Sequence, residues 1–289
     1  MPRTSTWKIH YAEYMLAQES RLVSDHTIRA KKLSLKRAEE WAIKNGAPSD
    51  PKKWIGSDVK AYWKSIDHLT ESTQLNYLTQ LLMFLRWCGN LNLKDVKLRI
   101  TPSRVNVDWL TEEQVALALS MATNQALKAL IILMSTLGLR REEACRIHVS
   151  DMHDDWVQVR GKGFKARKIP ISKEVWAMLG FYTRWRNSIR IRAEDQDIFI
   201  LNKFKRRYSL ESIESMFGKL SKKVGFHVSP HTFRRTYGRL MYFMGCPLVK
   251  LQRYMGHQSI NQTIQYLGIE YMDVTDGAQY IPRYGGASA

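Results

Sequence analysis

The stretch from Ala126 to Leu137, ALKALIILMSTL, is apolar nearly all the way round a helix. A helix without a polar face has to be covered on every side, so this segment predicts a buried central helix inside a domain large enough to wrap it. Gly138 follows at once and ends the helix by turning the chain, which holds Arg140 at the edge of the core instead of out in solvent. At 289 residues, 44% of them hydrophobic, the chain is long enough for one large or two ordinary domains.

Helical spacing also governs the residues before that domain. An amphipathic helix is expected from Trp7 to Glu19, and a second from Thr27 to Asn45, with Ile28, Leu35, Ala38 and Trp41 on one side and Asn45-Gly46 as its stop. Ser57 can cap a third helix holding Val59, Tyr62, Trp63 and Ile66, and Thr73 to Trp87 forms a fourth around Leu75, Leu78, Leu82 and Leu85. Residues 1–98 therefore predict a helical bundle domain. Residues 99–108, with Thr101-Pro102-Ser103, lack periodicity and predict a linker. Residues 109–289 predict the second domain. Thr111 and Gln114 form a capping box that opens a helix over Glu112 to Met121. Trp156 to Arg160 and Lys168 to Ile171, joined through Gly161 and Gly163, give the one good hairpin signal, and further helices start near Lys173, Ser209, Pro230, Pro247 and Ser259. The fold class expected is mainly α with a small β-hairpin, in two domains.

Charge narrows the partners. The sequence has 45 Lys plus Arg against 27 Asp plus Glu, a formal net charge of +18, and such a field favours a polyanion. Nucleic acid is preferred over an anionic membrane, because neither an amphipathic basic terminus nor a lipidation signal is visible. Arg29, Lys31, Lys32, Lys36 and Arg37 crowd the outer face of the second helix with no acid between Arg29 and Arg37. That run is read as a DNA-facing surface, against the ordinary alternative of a solvated face. Cys88, Cys145 and Cys246 are far apart and in no metal-like spacing, which suggests a reducing interior. The apolar runs are too short to span a membrane and the N-terminus lacks a signal-peptide core, so a soluble, intracellular protein is expected.

A series of cations and donors runs through the second half. Arg140, with Glu143 three residues on, can fork two donors onto a phosphate while Glu143 fixes neighbouring cations; a surface Arg–Glu pair is the alternative. Lys162 stands between Gly161 and Gly163 at the hairpin tip, where its reach suits proton delivery to a leaving oxygen; Lys165 and Arg167 would touch the DNA backbone. Ser229 caps a helix whose first residue is Pro230, leaving His231 and Arg234 on one face at i, i+3 beside a helix N-terminus that attracts phosphate. Gly256 ends another helix, His257 lies in the tight connection, and Ser259 with Gln262 opens the next. Tyr266 comes nine residues after His257.

The order and spacing of Arg140, Lys162, His231, Arg234, His257 and Tyr266 resemble the catalytic set of the tyrosine recombinases, and the likeness extends over the whole chain, closest to Xer-type recombinases and compact integrases. Met255 stands for the usual Leu before Gly256-His257, Arg235 departs from the common second histidine, and Leu267-Gly268 follow the tyrosine where Thr-His is frequent. The resemblance implies a site-specific recombinase acting on double-stranded DNA through a 3′-phosphotyrosyl intermediate. Tyr266 would be the nucleophile, Arg140 and Arg234 the phosphate clamp, His231 and His257 the groups handling protons and hydrogen bonds, and Lys162 the general acid. It further implies no cofactor, ATP or metal, a homo-tetramer on two recombination sites with a Holliday-junction intermediate, a cytoplasmic, nucleoid-associated enzyme, and a tail over residues 271–289 that docks on the neighbouring protomer. A type IB topoisomerase and a DNA-binding protein with a decayed site are the alternatives.

Overall fold

The computed structural model describes residues 6–21, 25–93, 108–161 and 166–268. The linker motif Thr101-Pro102-Ser103, the hairpin lysines Lys162 and Lys165, and the tail 271–289 lie outside the described residues. The chain divides into two compact units, Met1–Val105 and Asn106–Ala289.

The first unit is built from α1 (Thr6–Glu19), α2 (Asp25–Asn45), α3 (Gly56–Ser65) and α4 (Glu71–Trp87). Large apolar side chains at helical intervals bury one face of each helix. Trp7, Tyr14, Leu35, Trp54, Tyr62 and Phe84 meet in the core, with the Trp7 ring packed on both Trp54 and Phe84. Helix α3 opens differently from expectation. Ser57 falls inside the first turn, and the Asp58 carboxylate accepts from the Ile55 N–H at 2.9 Å instead. The basic face of α2 is also smaller than the sequence suggests. Lys31 is buried with its Nζ 3.4 Å from the Tyr14 hydroxyl, and burial lowers its pKa, so it belongs to the core and not to a DNA-facing surface. Lys32 pairs with Glu19 of α1 at 3.0 Å, Lys36 with Glu40 at 3.7 Å, and the Arg37 guanidinium lies over the Tyr77 ring. Acids absent between Arg29 and Arg37 in sequence are thus supplied by neighbouring turns.

The second unit forms around the predicted apolar segment. Asn124 caps α6 (Gln125–Thr136), whose Leu127, Leu130, Ile131 and Leu133 are buried in the core. Helix α5 (Glu112–Met121) starts with the expected box, the Thr111 hydroxyl accepting from Gln114 N–H and the Gln114 carbonyl from Thr111 N–H. A short α7 (Arg141–Arg146) follows, then β1 (Trp156–Arg160) and β2 (Ala166–Pro170), antiparallel with Trp156 opposite Pro170 and Arg160 opposite Ala166. The second strand begins two residues before the predicted start at Lys168 and stops one before the predicted Ile171. Helices α8 (Lys173–Ser188), α9 (Leu210–Val224), α10 (Pro230–Phe243), α11 (Leu248–Met255) and α12 (Ile260–Leu267) complete the unit. Helix α6 packs against α8 and α10. Gly238 of α10 lies under α11 and α12: a Cβ there would sit 2.6 Å from Leu267 Cδ2 and 3.0 Å from Met255 Sδ. The end of α12 is set down almost on the α10 backbone. Among the described residues no helix is long and apolar enough to cross a membrane.

Candidate active site

Glu143 is the hub of the site. It sits on α7, 7% exposed, and both of its oxygens are taken by guanidinium groups. Arg167 of β2 makes a two-pronged contact at 2.8 and 2.8 Å, Arg140 Nη1 donates at 2.9 Å and the Arg140 backbone N–H at 2.8 Å, while Arg234 Nη1 stands at 3.7 Å. Burial pushes the Glu143 pKa up, but the hydrogen bonds and charge of Arg167, the Arg140 N–H and the charge of Arg234 together outweigh it and hold the carboxyl at about 2. Glu143 is therefore ionised under all ordinary conditions.

The same arginines are fixed a second time by main-chain carbonyls. Arg140 Nη2 donates to Gly256 O at 2.9 Å, Arg167 Nε to Tyr254 O at 2.7 Å, and Arg234 to Gly138 O and Met255 O. Two glycine turns make these carbonyls available. Gly138 has φ +60°, and a Cβ there would lie 2.2 Å from Tyr237 Cδ1; Gly256 has φ +62°, and its Cβ would lie 2.9 Å from Arg167 Nη1. Positive φ and lack of room both demand glycine at these two positions. Arg234 is 1% exposed, and burial followed by the charge of Arg140 brings its pKa down to about 10, so it keeps its charge at neutral pH.

His257 lies within hydrogen-bond reach of Arg234 Nη2 (Nε2, 3.2 Å) and of Thr263 Oγ1 (Nδ1, 3.0 Å). A guanidinium can only donate, so Nε2 accepts and the Nδ1 proton points to Thr263. Burial, then the charges of Arg234, Arg140 and Arg167, bring the His257 pKa to about 3, with Glu143 opposing weakly, which keeps the ring neutral. With both nitrogens engaged, His257 orients Arg234 and pins Thr263 of α12. His231, at the start of α10, has its pKa lowered by desolvation and by Arg234, Arg235 and Arg141, against a small upward pull from Glu214. The residue lies at the surface, and a pKa below the ordinary value keeps its ring neutral at pH 7.

Tyr266, on α12, stands over this arrangement. Its hydroxyl donates to His231 O at 3.4 Å, and its ring meets His257 edge-on with centroids 5.2 Å apart. The Arg234 and Arg235 guanidiniums lie 5.8 and 5.4 Å from the ring centroid. Desolvation raises the phenol pKa, and Arg234, Arg235 and Arg140 counteract it.

Arg140, Glu143, His231, Arg234, His257 and Tyr266 therefore come together from four parts of the sequence. Arg167, read from the sequence as a contact to DNA, instead has its three donor nitrogens on Glu143 and Tyr254 and belongs to the scaffold of the site. Arg239 was not anticipated: its guanidinium stacks 3.3 Å from the Trp109 ring centroid and donates to Leu267 O at 3.2 Å, holding the end of α12. Nor was Thr263, a fully buried hydroxyl with no local sequence signal. The arrangement sets fixed positive charge, a neutral imidazole and a phenol side by side, which suits attack on a phosphodiester. Among the described residues no group of three His, Cys, Asp or Glu side chains could hold a metal ion.

Comparison with known proteins agrees with this chemistry. The family described as "Phage integrase family" matches residues 108–272. Tyrosine recombinase XerC of Thermodesulfovibrio yellowstonii is 24% identical over 261 residues, 86% of this chain and 87% of the relative. Tyrosine recombinase XerA of Pyrococcus horikoshii is 30% identical over 162 residues, 54% of this chain and 55% of the relative. Among solved structures, the Tn1549 transposon integrase in complex with circular intermediate DNA has a TM-score of 0.74 at 20% identity, covering 97% of this chain and 100% of that one. A lambda integrase dimer bound to a COC′ core site gives 0.73 at 16% identity, covering 92% and 78%. Since the family match takes in more than half of the sequence and runs from before α5 to beyond Tyr266, the chain belongs to the phage integrase family, the tyrosine recombinases.

Proposed function

We propose that this chain cuts and rejoins double-stranded DNA at a specific recombination site through a covalent bond to Tyr266. The observation that carries the reading is the placement of the Tyr266 hydroxyl at the His231 carbonyl, with the guanidiniums of the clamp residue Arg234 and of its neighbour Arg235 beside the phenol ring. The Tyr266 oxygen attacks the scissile phosphorus and its proton passes to His231. The bond from phosphorus to the 5′ oxygen breaks, Lys162 protonates that oxygen, and a 3′-phosphotyrosyl link remains. Arg140 and Arg234 stabilise the charge that develops on the phosphate. The ester retains the bond energy, so the free 5′-hydroxyl of a partner strand reverses the step without ATP. Four protomers on two sites exchange strands through a Holliday junction, residues 271–289 dock on a neighbouring protomer, and the enzyme works in the cytoplasm on the nucleoid. Residues 1–98 act as the core-binding domain. DNA recovered covalently bound to the protein from cells, sequenced and rebuilt as a nicked duplex, should give an adduct that survives denaturing electrophoresis. A chain that never yields one is not a recombinase.

Two further outcomes are expected. Lys162→Ala should cleave ordinary DNA slowly, by ~10²-fold or more, and recover when the leaving 5′ oxygen is replaced by sulfur, which departs without a proton. No recovery would assign Lys162 to binding, or the acid to Lys165. Charge reversal at both Lys32 and Lys36 of α2 should lower the slope of log affinity against log salt by ~2, since each phosphate contact contributes ~0.9. An unchanged slope would make that face mere solvated surface.

A further inference from the structure

We infer that Arg235, the residue at which this sequence departs from the tyrosine-recombinase histidine, is a catalytic residue of this chain and takes a non-bridging oxygen of the phosphate that Tyr266 attacks. The inference rests on the proposed phosphotyrosyl chemistry.

The other guanidiniums near the phenol are already held. Arg140 reaches Glu143 and Gly256 O, Arg167 reaches Glu143 and Tyr254 O, Arg234 reaches Gly138 O, Met255 O and His257, and Arg141 pairs with Glu214 across to α9. Arg235 differs from all of them. Among the described residues it has neither an ion pair nor a hydrogen bond, and its Nε is buried with no partner. Arg235 therefore keeps its donors available for a group that the reaction brings.

Position supplies that group. Arg235 follows His231 by four residues on α10, so the two side chains are neighbours on one helix face. Tyr266 donates its hydroxyl to the His231 carbonyl at 3.4 Å, and the Arg235 guanidinium stands 5.4 Å from the Tyr266 ring centroid. In the attack the phosphorus comes within bonding distance of the Tyr266 oxygen, which brings its non-bridging oxygens to the region bounded by His231, Arg234 and Arg235. The anion that the reaction brings there is the phosphate. An arginine offers it a planar pair of donors with a permanent charge; a histidine at this position offers one donor and is charged only when protonated. The bond changes are those already given: Arg235 adds no proton and removes none, and acts by stabilising charge on the phosphate oxygens.

The test uses the full chain and two nicked duplexes. One carries the ordinary scissile phosphate and the other a methylphosphonate in its place, which lacks the charged oxygen. Arg235→Ala should slow single-turnover adduct formation on the ordinary duplex by ~10²-fold, the loss typical of one missing oxyanion donor, and Arg235→Lys should regain ~10-fold of it. On the methylphosphonate duplex the Arg235→Ala protein should come within ~3-fold of the unaltered chain, because the charge that Arg235 stabilises is gone. Equal losses on both duplexes would overturn the proposal and reduce Arg235 to a support for the Tyr266 ring. Unaltered rates on the ordinary duplex for both variants would overturn it too. If the unaltered chain itself forms no adduct, the phosphotyrosyl reading fails first, an outcome separable from the failure of Arg235 alone.

Discussion

Tyr266→Phe is expected to bind its DNA site with unchanged affinity and to form no covalent adduct. The substitution removes the oxygen that bonds to phosphorus and leaves the ring, with its edge contact to His257 at 5.2 Å and the guanidiniums of Arg234 and Arg235 beside it. The phenol gives up the long hydrogen bond of 3.4 Å to His231 O and its contact with the Arg234 guanidinium, so stability should fall by only about 1 kcal/mol. Cleavage should fall by ~10⁴-fold or more, since Tyr266 is the phenol that the described residues place at that point. Denaturing gels of protein trapped on a nicked duplex measure it. An adduct that persists in Tyr266→Phe and vanishes in Tyr271→Phe would transfer the chemistry to Tyr271, which lies outside the described residues.

Glu143→Ala should unfold the second unit more readily by ~3–5 kcal/mol, because it leaves Arg167 and Arg234 charged and buried with no carboxylate between them. Acid should reproduce part of this. The Glu143 pKa lies near 2 in the folded protein against an ordinary 4.5, so its ionised form adds stability that is complete above about 4.5 and disappears as pH falls towards 2. The full difference amounts to ~3 kcal/mol. Urea midpoints measured across that pH window should drop steeply for the unaltered chain and less so for Glu143→Gln. Parallel profiles would show that Glu143 is not the group responsible. Cleavage should be lost in Glu143→Ala even where the protein stays folded, since Arg140 and Arg234 then lack a common anchor.

Features encoded within a few neighbouring residues were legible before the fold was known. The apolar circumference of Ala126 to Leu137 predicted α6, and the hydroxyl caps Thr111, Ser229 and Ser259 marked where α5, α10 and α12 begin. Arg140, His231 and His257 were legible as positions because each stands at a helix end or tight turn that is written locally, and Arg234 and Tyr266 follow from them by helical spacing. What depends on distant partners was not legible. Lys31 reads as one more member of a basic run, and only the approach of Tyr14 from α1 shows that it is buried. Arg167 reads as a surface cation on a hairpin until Glu143, 24 positions away, takes its guanidinium. The six-residue α7 carries too few apolar positions to show a period, and Arg239 lies 130 positions from the Trp109 ring that it covers.

The carbonyls of Gly138, Tyr254, Met255 and Gly256 that steady the arginines have an evolutionary consequence. A side-chain acceptor can be lost through one codon change, whereas a peptide oxygen is present whatever residue bears it. Much of the clamp's geometry is therefore written in the path of the chain, and drift in the surrounding side chains leaves it intact as long as Glu143, His257 and the glycines of the two turns are kept. Selection on the clamp thus falls on few positions, and a protein built this way can diverge far in sequence from its ancestors while its arginines still converge on one phosphate.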